Sequence, residues 1–243
     1  MERLNSSESK TLSFINLIKE TGLSFDVDGV EAWTSEEAVK LYNKRFGRKY
    51  SFPKTTSQLN HFYAMNDWLN TIKEKFPESC QDPLQESIKI WNDDNVLANA
   101  NVEIGVKALL KFLNNHGIVP FRFTSRPADK TKVTYEWFSK NQPDLSADYI
   151  YIQRDKNTLN SSFKLEMILD KGVGFHLDDA PMHAEEIAEK GVWVGLVPQP
   201  WNESYEPKRG SKIIKPQGYL GRPKIIRAFL SLKDEVINNV AQY

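Results

Sequence analysis

Two aspartates stand one residue apart at Asp26 and Asp28, delivered by the short apolar run Leu23-Ser24-Phe25 and followed by Gly29. Side chains two apart on a strand point to the same face, so where the strand ends both carboxylates can enter one site. Two such groups repel, and holding them together calls for a cation between them or a reaction that uses both. One can attack while the other carries protons. A polar turn after a buried strand, with Asp28-Gly29 as its turn pair, is the plain alternative. The choice depends on what else the chain brings to the same place.

The elements around this pair follow from periodicity. Residues 11–21 read as a short helix ended by Gly22, and the strand Leu23–Phe25 follows. After Val30 the pattern is helical for about seventy residues, opening on Thr34 to Glu37 in capping-box form. Helical stretches are expected near 36–47, 56–76 and 83–91. The aromatics here, among them Trp33, Phe62, Trp68 and Trp91, form the core of an inserted helical subdomain or stack on a ligand.

From Asn101 the pattern changes to helix and strand in alternation. Strands are expected at 118–123, 149–152, 173–177 and 192–197, and helices at 104–112, 129–140, 163–169 and 184–190. Prolines and glycines over 198–222 preclude regular structure, and a last helix spans 222–240. The fold class is α/β, a Rossmann-like, mostly parallel sheet flanked by helices. Residues 1–30 and 101–243 make a discontinuous core, with an extension from about 203, and 31–100 the inserted helical subdomain. Right-handed crossovers put the C-terminal ends of all the strands on one edge, where ligands of such sheets bind.

That edge gathers Asp26 and Asp28, then Thr124 and Ser125, then Asp178 and Asp179. Four carboxylates together need a cation, and oxygen ligands at such an edge suit Mg²⁺. Thr124 and Ser125 offer donors and Lys164 an ammonium, which makes a place for a phosphoryl group. In the chemistry this implies, Asp26 attacks phosphorus in line. Asp28 protonates the leaving oxygen and then deprotonates the water that hydrolyses the aspartyl-phosphate. Each member has another reading: Thr124 as a helix N-cap, Lys164 as a solvated lysine with Lys156 and Lys171 as rivals, Asp178-Asp179 as a cap. His176 reads as a satisfied interior or edge histidine.

In sequence these residues resemble the haloacid dehalogenase (HAD) superfamily of phosphatases. Asp26-Val27-Asp28-Gly29-Val30 looks like its first motif, Thr124 its second, and Lys164 with Asp178-Asp179 its third and fourth. Glu36–Gly47, FTSRP at 123–127, LDDAP at 177–181 and PWN at 200–202 resemble segments of 5′(3′)-deoxyribonucleotidase-like (nucleotidase C type) proteins. The resemblance implies a HAD-like core with a C1-type cap. It makes Asp26 the nucleophile, Asp28 the acid/base, and Thr124 and Lys164 the phosphate contacts. Asp26, the Asp28 carbonyl and Asp179 would ligate the metal, with Asp178 on the metal's waters, although which of Asp178 and Asp179 ligates directly stays open. Glu31 departs from the pattern: many relatives carry a small or apolar residue there, in a loop implied to meet the leaving group.

The 243 residues are ordinary in composition, 40% hydrophobic and 26% charged, with 32 basic and 32 acidic side chains. That balance argues for no nucleic-acid or membrane partner, and no apolar run has the length of a membrane helix. The single Cys80 excludes an internal disulfide, and the polar N-terminus lacks the apolar stretch of a signal peptide, so a cytoplasmic location is expected. The expected function is a Mg²⁺-dependent phosphomonoester hydrolase acting on a small phosphorylated substrate, a nucleotide by resemblance. The alternatives are a phosphatase of nucleic-acid ends or sugar phosphates, and a non-catalytic binding protein. The basic 208–227 stretch is either a solvated tail or a polyanion surface such as one for nucleic acid.

Overall fold

The computed structural model describes residues 6–61, 63–153, 160–217 and 221–240. In chain order these form α1 (Ser6–Thr21), β1 (Leu23–Asp26), β2 (Ala32–Trp33), α2 (Thr34–Tyr42), α3 (Ala64–Lys75), α4 (Pro83–Trp91), α5 (Asp94–Asn99) and β3 (Asn101–Val102). Then follow α6 (Val106–Asn115), β4 (Phe121–Thr124), α7 (Thr131–Asn141), β5 (Ile150–Ile152), α8 (Asn160–Asp170), β6 (Phe175–Asp178), α9 (Pro181–Glu189), β7 (Trp193–Leu196), β8 (Ile213–Ile214) and α10 (Lys224–Val240).

Six strands make one sheet in the order β5-β4-β1-β6-β7-β8, and every pair in it is parallel. The alternation of strand and helix forces this, because a parallel neighbour needs a crossover element. β1 lies inside the sheet, with Asp26 in register with Phe123 of β4 and Phe25 with Leu177 of β6. On one face Leu23, Phe25, Phe175 and Leu177 pack against α1, α6 and α10. On the other, Phe123, Val194 and Leu196 meet α8 and α9. Gly195 is required here, since a Cβ would come within 2.6 Å of Leu177 Cδ2 and 3.3 Å of the Ala228 carbonyl. The glycine lets α10 lie close on the sheet.

Residues 34–99 leave and re-enter the core through the antiparallel ribbon β2–β3, with Ala32 opposite Val102 and Trp33 opposite Asn101. Their helices close around a separate apolar cluster that includes Tyr42, Phe46, Met65, Trp68 and Leu69. Asp94 of α5 reaches back to Lys130 at 2.8 Å, and Trp137 of α7 donates its indole N–H to the Ala100 carbonyl at 2.7 Å.

Several local expectations change. Thr34 and Glu37 do not form a capping box: Trp33 is the N-cap of α2 and no side chain caps it. α2 runs on into a π-helical turn over Asn43–Gly47. The region 198–222 is not wholly irregular, because Ile213 and Ile214 pair with Val194 and Gly195 as the sixth strand. Two β-branched residues between turns suffice for an edge strand that a proline count hides. α9 starts at Pro181, three residues before the expected helix, and proline suits that first helical position. Phe62, Lys156 and Gly218 lie outside the described residues. Among the described residues, no helix is long and apolar enough to cross a membrane.

Candidate active site

β1 carries Asp26 to the C-terminal edge of the sheet, 6% exposed. Its Oδ1 accepts the Val27 amide at 2.7 Å and its Oδ2 meets Lys164 Nζ at 2.8 Å. The chain then folds back on itself: Glu31 and Ala32 both donate to the Val27 carbonyl, and Gly29 donates to that of Ala32. Gly29 sits at φ 79°, and a Cβ there would lie 2.3 Å from Asp179 Oδ2. Only glycine permits both the backbone angle and the approach of the second acidic loop.

That loop leaves β6. Asp178 is fully buried; its Oδ1 accepts the Ala180 amide at 2.8 Å, and its Oδ2 meets Lys164 Nζ at 3.0 Å and His176 Nε2 at 3.1 Å. His176 in turn meets Ser24 Oγ through Nδ1 at 2.8 Å, so it is an interior histidine with both ring nitrogens engaged. His183 Nδ1 lies 3.0 Å from Lys164 Nζ. Lys164, from α8, is the buried ammonium between Asp26 and Asp178, as its spacing suggests. Lys171 pairs instead with Asp170 at 2.9 Å, in the turn before β6.

Carboxylate oxygens of Asp26, Asp178 and Asp179 all lie within 4.8 Å of one another. The electrostatics show what one lysine can and cannot balance. Burial works against ionised Asp178, but Lys164, His176 and His183 hold its carboxyl well below the usual range. Burial lifts Asp179 well above that range, and Asp178 and Asp26 add to the lift. Asp26 is raised too, by burial first and by Asp178 and Asp28, with Lys164 opposing. Burial disfavours a charged Lys164, yet Asp178 and Asp26 more than offset this and raise its pKa. Three buried carboxylates therefore share one ammonium. A hard divalent cation on their oxygens would supply the missing charge, so the donor set fits Mg²⁺.

Asp28 departs from this cluster. Arg126 closes on it with Nη2 to Oδ1 at 2.7 Å and Nε to Oδ2 at 2.9 Å. The guanidinium is 1% exposed while Asp28 keeps 33% of its side chain open. Arg126 also donates through Nη1 to Thr134 Oγ1 and through its amide to Thr124 Oγ1, both at 3.3 Å. Thr124 is buried at the end of β4, beside β1, and Ser125 is half-buried.

A fourth segment completes the edge. The turn Pro200–Asn202 follows β7 and lies against the turn Thr56–Gln58 of the helical insertion. Trp201 donates its indole N–H to Asp179 Oδ2 at 2.9 Å, and Asn202 Nδ2 donates to the Asp179 carbonyl at 2.8 Å. Gln199 Nε2 donates to the Gly29 carbonyl at 2.5 Å and its Oε1 accepts from Lys224 at 2.9 Å.

Glu31, in the loop after the first two aspartates, turns inward. It is fully buried, accepting from Arg122 Nε and Nη2 at 3.2 Å each, while Gln142 Oε1 takes a further bond from Arg122 at 2.9 Å. Its partner lies 91 residues away, which no local pattern reveals. Arg126 and Trp201 fall within the FTSRP and PWN segments, where the sequence assigns them no role of their own, and Gln199 precedes the second. Their signal is position: each lies within a few residues of a strand end on the edge that carries the aspartates. In the basic stretch, Lys212 bonds the Gly191 carbonyl and Lys215 those of Glu203 and Tyr205, so part of that charge holds the extension together.

No family model matches the chain. Among curated proteins, a galactose-1-phosphate uridylyltransferase of Lactococcus lactis subsp. cremoris is 29% identical over 97 residues, which is 39% of this chain and only 17% of that protein. Among solved structures, a HAD-family hydrolase of Deinococcus radiodurans with bound phosphate and sodium is 15% identical, with 73% of this chain and 82% of that one covered and a TM-score of 0.52. A conserved haloacid dehalogenase-like protein of unknown function from Agrobacterium tumefaciens is 19% identical, with 72% and 82% covered and a TM-score of 0.51. A HAD hydrolase of Entamoeba histolytica is 14% identical, with 71% and 81% covered and a TM-score of 0.50. At these identities the likeness is one of fold.

Proposed function

We propose that this chain, which has the haloacid dehalogenase-like fold, is a Mg²⁺-dependent phosphomonoester hydrolase working through an aspartyl-phosphate on Asp26. The observation that carries this is the convergence of Asp26, Asp178 and Asp179 around the buried ammonium of Lys164. A binding protein with no chemistry to perform would have little use for three carboxylates buried side by side.

Asp26, Asp179 and the Asp28 carbonyl would hold the cation, with Asp178 beside them. When bound, the ion supplies positive charge that lets an anionic nucleophile approach an anionic ester. Thr124, Ser125 and Lys164 bind the phosphoryl oxygens. A carboxylate oxygen of Asp26 attacks phosphorus, and the bond from phosphorus to the leaving oxygen breaks as Asp28 gives that oxygen its proton. Asp28, now a carboxylate, takes a proton from water. The hydroxide displaces Asp26, releasing phosphate and restoring the starting carboxylate. Arg126 holds Asp28 in place between these transfers.

The helical insertion serves as the cap over this site, and the substrate it admits is a nucleotide, a reading supported by the segments that resemble nucleotidase C type proteins. The short likeness to a galactose-1-phosphate uridylyltransferase adds sugar phosphates to the esters worth testing. Cys80 is a buried free thiol, which fits a reducing, cytoplasmic setting. The test is a panel of deoxy- and ribonucleotides, sugar phosphates and 3′-phosphorylated DNA, assayed with Mg²⁺ and with chelator. Mg²⁺-dependent phosphate release that vanishes in a folded Asp26→Asn variant is expected. Release from no ester on the panel, or unchanged release by that variant, overturns the proposal.

A further inference from the structure

We propose that Trp201 is a positioning residue that couples the cation site to the docking of the helical insertion; this rests on the reading that Asp179 ligates the cation. The side chain has two commitments. Its ring packs, partly buried, against the apolar cluster of the insertion built on Tyr42, Trp68 and Leu69. Its only polar atom donates to Asp179 Oδ2 at 2.9 Å.

Asp179 has little else to orient it. Asp178 has Lys164, His176 and an amide on its oxygens. For the Asp179 carboxylate, the indole is the side-chain donor among the described residues. The carboxylate fills the space a Cβ on Gly29 would take, Oδ2 nearest, so the glycine admits this placement. The indole N–H is the side-chain donor that holds Oδ2 of Asp179 in place beside Asp26 and Asp178. The turn that presents it is tied to the same loops by Asn202 on the Asp179 carbonyl and Gln199 on the Gly29 carbonyl. The turn Thr56–Gln58 of the insertion leans on it from the other side. Undocking of the insertion would take away the surface that holds the ring, and with it the N–H. Linkage is reciprocal: whatever docking adds to cation affinity, the cation adds to docking.

The experiment measures Mg²⁺ binding to the full chain by calorimetry, and amide hydrogen exchange across residues 38–72 with and without Mg²⁺. Trp201→Phe keeps a ring against the insertion and deletes the donor. It should bind Mg²⁺ about 10-fold more weakly, as loss of a partner that orients a ligand does. In the wild type Mg²⁺ should slow exchange in 38–72, and in Trp201→Phe this slowing should largely disappear. A variant on the insertion side, Leu59→Ala, trims a buried side chain of the same apolar cluster just after the turn Thr56–Gln58 and should weaken Mg²⁺ binding about fivefold; it decides the matter if Trp201→Phe fails to fold. No Mg²⁺ binding by the wild type would overturn the cation reading itself. Mg²⁺ binding by the wild type together with unchanged affinity in both variants, or with exchange indifferent to Mg²⁺, overturns the coupling alone.

Discussion

Arg126 occupies both carboxylate oxygens of Asp28, at 2.7 and 2.9 Å, while Asp26 two residues earlier has Lys164 instead. The two aspartates of one short motif thus have separate cations, and separate cations suit separate tasks.

Arg126→Ala should therefore injure proton transfer more than attack. We expect kcat for an alkyl phosphate to fall about 100-fold, within the range of general acid–base contributions. An aryl phosphate, whose leaving oxygen needs little protonation, should lose far less. Arg126→Lys should recover only part of the loss, since an ammonium cannot reproduce the two-pronged contact. Equal losses on both esters would mean that Arg126 merely supports the fold.

Lys164→Met leaves Asp26 and Asp178 buried without their ammonium. Breaking a buried pair costs about 3–5 kcal/mol, which for a chain of this size lowers Tm by roughly 10 °C. Mg²⁺ should raise the Tm of the variant more than that of the wild type, because the ion replaces part of the lost charge. Thermal melts with and without Mg²⁺ check this, and an unaltered Tm counts against it.

The buried group of Glu31, Arg122 and Gln142 predicts a different pattern. Glu31→Ala strands a buried guanidinium and should cost about 3–5 kcal/mol in urea unfolding. Replacing all three by Leu, Met and Leu should return most of that stability, since apolar replacement of a buried ionic group is often neutral. A triple variant as unstable as the single one would show that the polar contacts themselves are needed.

Glu103 gives a dependence on pH. Burial raises its carboxyl above the ordinary value of 4.5, with Lys224 opposing. An acid whose folded pKa is raised adds stability at low pH, and that stability is lost as pH rises through the folded value. Glu103→Gln has no such loss. Its stability relative to the wild type should improve as pH rises above the ordinary 4.5, and a difference that stays flat as pH rises from there would refute the assignment.

The sequence made the strand ends legible because each is a short apolar run stopped by a residue that can do chemistry. Asp26, Thr124 and Asp178 end their strands as expected, and parallel packing does the rest. Pairings across the chain were not legible. Glu31 looks like a loop acid until Arg122 is placed beside it, and Arg126 looks like part of a turn until Asp28 is seen between its nitrogens. Trp201 has a double role that no periodicity encodes, since one half of its side chain is apolar packing and the other a single donor. Local pattern reports what a residue's own element needs; it is silent on a partner brought in by another strand.

The ribbon of β2 and β3 has a consequence for how such a molecule changes over generations. The helical insertion departs at Trp33 and returns at Asn101, which lie opposite each other. The two ends of the graft are neighbours, so the sheet registers the same short span whatever is spliced between them. A longer bundle, a shorter one or a bare turn would fit the same socket without shifting β1 or β4. The inserted part can then be exchanged as a module, while the aspartates stay where the sheet puts them.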